Sequence, residues 1–234
     1  MAETILKGYL ISKTNYQDND EIITFVDESG LKYPCLSLGS RKIESKNGRN
    51  LFLGNLCEFE IVMSRSEEKV SKLKKAKVIA PADWRLELYQ PFNFLCEATN
   101  KSSNKRFNLY EFFFNMMQLI NSNEYTEKEL ILITLHKFCL INGIDLHVDS
   151  CVECGAKIIR TISFAKKGLV CNAHYDPKRD HLFTLPQSQL IHHLFLNHYD
   201  KLKNYSNEFD FMIKCLKQYI DDNLGIQFLT LYNY

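Results

Sequence analysis

The chain has few of the residues that break regular structure. Its 234 residues include only 5 prolines and 9 glycines, which excludes collagen-like and low-complexity classes. It lacks net charge too, since 29 basic residues nearly cancel 28 acidic ones. Total charge therefore says nothing about partners, and only its distribution can. No run reaches the roughly 18 uncharged apolar residues that a spanning helix needs. The first residues carry Glu3 and Lys7 where a signal peptide would be apolar, so we expect a cytoplasmic protein. A phosphate-cradling Walker loop, a G-x-G-x-x-G after a strand, a G-x-S-x-G elbow and an H-E-x-x-H pair are all missing. Without them, an ATPase, a simple hydrolase or a zinc protease has no machinery to work with.

What is present is an ordinary globular composition, 45% apolar and 24% charged, in a chain long enough for two packed units. Residues 4 to 79 alternate with the period of strands, and five segments stand out: Thr4 to Ile11, Glu21 to Val26, Leu31 to Leu38, Leu56 to Met63 and Val70 to Ile79. Five short strands suit a small closed barrel better than a sandwich, which would have too few strands to cover two faces. Asp27-Glu-Ser-Gly30 is a hairpin turn signal. The stretch Gly39 to Asn50 is too polar to bury and too long for a tight hairpin, so a mobile loop is expected there.

After Pro81 the period changes to 3.6, placing a boundary between residues 1–80 and a helical domain at 81–234. Asn108 and Thr126 precede apolar stripes, each with Glu three residues on, as helix starts require. Further helices are expected after Pro186 and across Phe209 to Ile220, the latter ending at Gly225.

Eight cysteines in a chain that builds its own core need not form disulfides. Cys35, Cys57, Cys96, Cys139 and Cys215 sit singly in apolar patterns, as small buried hydrophobes do. The other three belong to C-x2-C, sixteen residues, C-x2-H: Cys151, Cys154, Cys171 and His174. Two residues between ligands let a tight turn aim both at one ion, and Gly155 frees the backbone after the second. Lys157 to Phe164 alternates and Gly168 can turn the chain, so a hairpin would bring the pairs together in a module at 147–180. Four protein ligands leave no open position for a reacting water, so one structural Zn2+ is expected and no enzyme. Asp145, His147 and Asp149 alternate too, but we read them as a solvated linker.

Two basic runs stand out in the first third of the chain. One holds Arg41, Lys42, Lys46 and Arg49 against a single acid, Glu44; the other holds Lys69, Lys72, Lys74, Lys75 and Lys77 with no acid. On a barrel with a basic loop they would grip a nucleic-acid backbone, with Tyr33, Phe52 or Phe59 as stacking rings.

Several stretches resemble the bacterial recombination mediator family RecO. Gly8 to Phe25 is similar to that family's opening strands and turn, and Leu36 to Arg41 to its a-x-G-x-R loop. Phe138 to Gly155 resembles its L-x-G-x-x-P-x-L-x-x-C-x-x-C-G helix and knuckle, without the proline. Phe164 to Cys171 resembles F-x-x-x-x-G-G-x-x-C, and Tyr219 to Gly225 its last helix. Where many members have a fourth cysteine, this chain has His174.

The resemblance implies an α+β multidomain protein: an OB-fold barrel, a helical domain and an inserted zinc hairpin. It further implies binding of single- and double-stranded DNA, strand annealing, and recombinase (RecA) loading onto DNA coated with single-strand-binding protein, together with RecR. A cytoplasmic, nucleoid-associated DNA repair and recombination role would follow. The competing reading is a zinc-containing RNA-binding or transcription-associated protein.

Overall fold

The computed structural model describes residues 3–64, 70–83, 85–104 and 106–234. The chain divides into two compact units, Met1–Asn123 and Glu124–Tyr234.

The first unit opens with five strands: β1 (Glu3–Tyr16), β2 (Asp20–Asp27), β3 (Lys32–Ser37), β4 (Leu56–Val62) and β5 (Ser71–Ala80). They close into a barrel in the order β1-β2-β3-β5-β4. β4 returns antiparallel to β1, and β3 meets β5 in parallel through Cys35–Ser71 and Leu36–Lys72. This is the five-stranded order of an OB-type barrel. Alternation supplies its filling: Cys57, Phe59 and Ile61 point inward from β4 while Glu58 and Glu60 face out. With Leu10, Ile23, Phe25, Cys35, Leu51, Leu73 and Ala76 they make one core. Phe25 and Phe59 stack in it with centroids 4.1 Å apart.

The turn at Gly30 forms as its residues require. Gly30 sits at φ 83°, while Asp27 Oδ1 accepts from the Ser29 hydroxyl and the Leu31 amide. The Gly39–Asn50 loop differs from expectation, because it is fastened to β5. Asn47 donates to the Lys74 carbonyl at 3.2 Å and accepts from the Ala76 amide at 3.0 Å. Asn50 donates to the Ala76 carbonyl at 2.7 Å. A polar loop need not be loose when its asparagines mimic a missing strand partner.

Two helices complete this unit, α1 (Tyr89–Lys101) and α2 (Leu109–Asn121). Asn108 caps α2 by accepting from the amides of Tyr110 and Glu111. The sequence reading missed α1. Phe92, Leu95, Cys96 and Thr99 are buried at helical spacing, but Leu88 offers no side-chain cap to announce the start. Lys32 of β3 donates to the carbonyls of Asn100 and Ser102 at the end of α1, each at 2.6 Å.

The second unit is built on α3 (Glu127–Ile141), α4 (Leu185–Phe195) and α5 (Phe209–Leu224), with a small hairpin of β6 (Thr161–Ser163) and β7 (Gly168–Val170) between α3 and α4. Thr126 and Glu129 form the capping box on α3, and Thr184 with Gln187 forms another on α4. Such caps contribute about 1 kcal/mol each. α3 is buried nearly all round, Lys137 and Leu140 excepted in its last three turns, as a central helix should be. Among the described residues no helix is long and apolar enough to cross a membrane.

Candidate functional site

The chain after α3 runs extended from Ile144 to Asp149. Ile144, Leu146 and Val148 are buried while Asp145, His147 and Asp149 are exposed. The three polar residues do share a side, and it faces solvent. The segment is also a strand partner: His147 donates to the Lys167 carbonyl and accepts from the Leu169 amide, each at 2.9 Å. That pairing explains Gly168. A Cβ there would meet the His147 carbonyl oxygen at 2.5 Å and Val152 Cγ1 at 2.6 Å, so the residue permits close backbone approach. The turn expected at Gly168 belongs to Lys167, whose φ is 56°.

The extended segment delivers the first knuckle to the hairpin. Val152 N donates to the Leu169 carbonyl at 2.8 Å, and Gly155 N to the Cys151 carbonyl at 2.8 Å, with Gly155 at φ 73°. β7 then leads directly into the second knuckle, where His174 N donates to the Cys171 carbonyl at 3.1 Å. Lys166 ties the two knuckles by donating to the His174 carbonyl at 2.9 Å and lying 3.6 Å from Glu153.

All four expected ligand atoms come together. The three sulfurs and the His174 ring nitrogen lie within 4.8 Å of one another, a group that could hold a metal ion. Cys154 Sγ is 3.8 Å from Cys171 Sγ, and His174 Nδ1 is 3.6 Å from Cys151 Sγ and 3.3 Å from Cys171 Sγ. Burial pushes the Cys151 thiol up, but the backbone N–H groups of Cys171, Glu153 and Cys154 outweigh it and bring it to about 6. Cys151 is thus prepared as a thiolate, the form that ligates metal. The Cys171–His174 contact likewise lowers Cys171 and raises His174. Cys154 and Glu153 face solvent.

Of the remaining cysteines, Cys35, Cys57, Cys96 and Cys139 are buried and Cys215 is half-buried. Burial pushes the Cys35 thiol up to about 12 and Cys57 to about 11, as inert core sulfurs require.

The basic candidates are spread over the barrel surface. Arg41, Lys42, Lys46 and Arg49 are exposed on the β3–β4 loop. Arg41 Nη1 donates to the Asp18 carbonyl at 3.2 Å, across to the β1–β2 turn. Lys69 lies outside the described residues. Lys72, Lys74 and Lys75 are exposed on β5.

The adjacency of Lys74 and Lys75 on the outer face comes from a bulge that sequence alternation did not reveal. Glu60 pairs with Lys75 but Ile61 pairs with Leu73, so one extra residue is fitted between them. Leu73 and Ala76 both turn inward, and the two lysines both turn out. Lys46, Lys74 and Lys75 consequently line one groove with Asn47, Asn50 and Glu60. The lysines there are not equivalent. Lys74 is held by Glu60 at 2.7 Å and Glu3 at 3.0 Å, whereas among the described residues no ion pair engages Lys46, Arg49, Lys72 or Lys75.

Of the three candidate rings, Phe59 is fully buried and Tyr33 packs against the core, leaving Phe52, 56% exposed, as the one that a ligand can reach.

Comparison with known proteins agrees with this arrangement. Residues 93–230 match the family described as "Recombination protein O C terminal". The chain is 26% identical over 242 residues to the "DNA repair protein RecO" of Mycoplasma mycoides subsp. mycoides, covering 98% of this chain and 96% of that protein. It is 26% identical over 182 residues to the protein of that name from Mesoplasma florum, covering 73% of this chain and 67% of the relative. For the one from Listeria welshimeri the identity is 23% over 243 residues, covering 94% and 89%. With more than half of its length matched by the family and its barrel, helical unit and Cys3His hairpin in sequence order, the chain belongs to the RecO family.

Proposed function

We propose that this protein is a non-enzymatic DNA repair and recombination mediator, cytoplasmic and nucleoid-associated when bound to DNA. It binds single- and double-stranded DNA, anneals complementary strands, and with RecR helps load a recombinase onto DNA coated with single-strand-binding protein. The functional division is an OB-fold at 1–80 and a helical domain at 81–234 carrying the metal module at 147–180.

One observation carries the reading: a closed five-stranded barrel presents Lys46, Arg49, Lys72 and Lys75 outward without acidic partners among the described residues, in a chain of this family. Cations left unpaired on such a barrel suit a polyanion. Arg41 and Lys42 extend the surface, and Lys74 contributes less because two carboxylates already hold it.

The metal is zinc, and its role is to clasp. Zinc–sulfur and zinc–nitrogen bonds of about 2.3 and 2.0–2.1 Å imply tetrahedral edges of about 3.8 Å between sulfurs and about 3.6 Å from sulfur to nitrogen. The observed 3.8 Å between sulfurs and 3.6 Å from Cys151 to His174 match those edges, and the 3.3 Å from Cys171 to His174 is somewhat shorter. When bound, the ion supplies folding energy to a hairpin with little core of its own. Cys151, Cys154, Cys171 and His174 fill all four positions, and the neighbouring carboxylate, Glu153, is engaged by Lys166.

Four to six phosphate contacts on a single strand predict a slope of about −3 to −4 in log affinity against log salt. Replacing Arg41 and Arg49 together by Glu, with the fold checked by circular dichroism, should collapse annealing of complementary strands. Unchanged annealing would remove the loop from the binding surface. Competition between unrelated DNA and RNA oligomers separates this reading from an RNA-binding one.

A further inference from the structure

The β3–β4 loop ends in an apolar apex. Ser45 N donates to the Lys42 carbonyl at 3.0 Å, closing a four-residue turn whose central pair is Ile43 and Glu44. Ile43 is 98% exposed, more than any other large hydrophobic among the described residues. A singly exposed apolar side chain is ordinary on a protein surface. Its placement here is not, because β-branched residues are poor at turn centres, where Gly, Asn, Asp and Ser suit the backbone better.

The apex is held firmly. Gly39 N donates to Asp20 Oδ1 at 2.7 Å, Arg41 N to the Asn19 carbonyl at 3.0 Å, and Gly48 N to Ser45 Oγ at 3.1 Å. Asn47 and Asn50 clamp the far side of the loop to β5. The position is thus rigid as well as exposed, and Arg41 and Lys42 precede it while Lys46 and Arg49 follow.

Cations on both sides of a stiff apolar tip form the arrangement by which DNA-binding proteins pry a base step: phosphates are gripped and a branched side chain is pressed into the stack. A protein-docking patch would need contiguous apolar area, whereas Ile43 stands between Lys42 and Glu44. We propose that Ile43 is a wedge that inserts between adjacent bases of bound DNA and unstacks one step, with Arg41, Lys42, Lys46 and Arg49 holding the flanking phosphates. This rests on the DNA-binding reading and adds to it a local opening of the bases, which a strand-pairing protein can use.

The test uses the full chain and a DNA duplex carrying 2-aminopurine, whose fluorescence rises when it leaves the stack. The unaltered protein and Ile43→Leu should both raise the signal on saturation. Ile43→Ser should bind with the same salt dependence but lower the rise by about three-fold or more, since the side chain that holds the step open is gone. At a position this exposed the serine leaves the fold intact, as circular dichroism would verify. An undiminished rise with Ile43→Ser, at full binding, overturns the wedge and leaves the DNA reading standing. If no variant, nor the unaltered chain, binds the duplex in a salt-dependent way, the DNA reading falls and the wedge with it.

Discussion

The Tyr219 hydroxyl of α5 donates to the Ile144 carbonyl at 2.8 Å, with the tyrosine 1% exposed. Its ring stacks on Phe164 of the hairpin turn, centroids 5.0 Å apart. One side chain thereby fastens the extended lead-in to the metal module and the module's β6–β7 turn to the last long helix.

Tyr219→Phe keeps the stacking and orphans the Ile144 carbonyl. Leaving a buried acceptor unsatisfied costs about 1–3 kcal/mol, so urea unfolding should shift by that amount. Metal content should stay unchanged, because the ligands and their knuckles are intact. Loss of metal at unchanged stability would show that the bond positions the ligands instead of the helix.

Cys154→Ser removes one of four donors from an exposed corner of the cluster. A chromogenic chelator should then withdraw the ion from the folded variant at a concentration that leaves the unaltered chain loaded. Thermal stability should fall as well, by about 2–4 °C for each kcal/mol lost in a chain of this size. DNA binding should weaken only to the extent that folding does, and a specific loss of binding in a fully folded variant would contradict a purely architectural metal.

The β5 bulge separates two neighbouring lysines by their partners. Lys75→Gln should reduce the magnitude of the salt slope by about 0.7, one phosphate contact on a single strand. Lys74→Gln should change it less, since Glu60 and Glu3 already neutralise that ammonium and raise its pKa. Equal effects from the two substitutions would show that the carboxylates release Lys74 when DNA arrives.

His136 of α3 is 1% exposed, with Nδ1 3.1 Å from the Tyr199 hydroxyl. Burial first, and the Lys137 charge second, push it down to about 3. The unfolded chain takes up this proton below about pH 6.5 and the folded one does not. The residue's contribution is therefore full above pH 6.5 and is lost as pH falls from there toward 3, at about 1.4 kcal/mol per pH unit. Unfolding free energies at pH 7.5, 6 and 5 should show this slope, and His136→Gln should flatten it. An equally steep curve in the variant would assign the acid sensitivity to other groups.

Much of this was legible locally. Period-two alternation located all five barrel strands, and Asn108 and the Thr126–Glu129 box located two helix starts, because side-chain orientation and capping act within a few residues. The C-x2-C and C-x2-H spacings picked out, for the same reason, the four residues that come together as a group able to hold a metal ion. α1 escaped because Leu88 is no cap, and Lys167 took the turn expected of Gly168 because a distant backbone, His147, needed the glycine.

The sequence by itself located the five barrel strands, the four residues that could hold a metal and the residues that carry positive charge. Tertiary structure alone decided which of those charges remain available: the bulge that turns Lys74 and Lys75 outward together, the carboxylates that claim only the first, and the asparagine clamps that make a polar loop stiff enough to hold Ile43 out. Each depends on residues a dozen or more positions apart meeting across the barrel. Spacing along the chain encodes local geometry, but closure of the sheet is what chooses the partners.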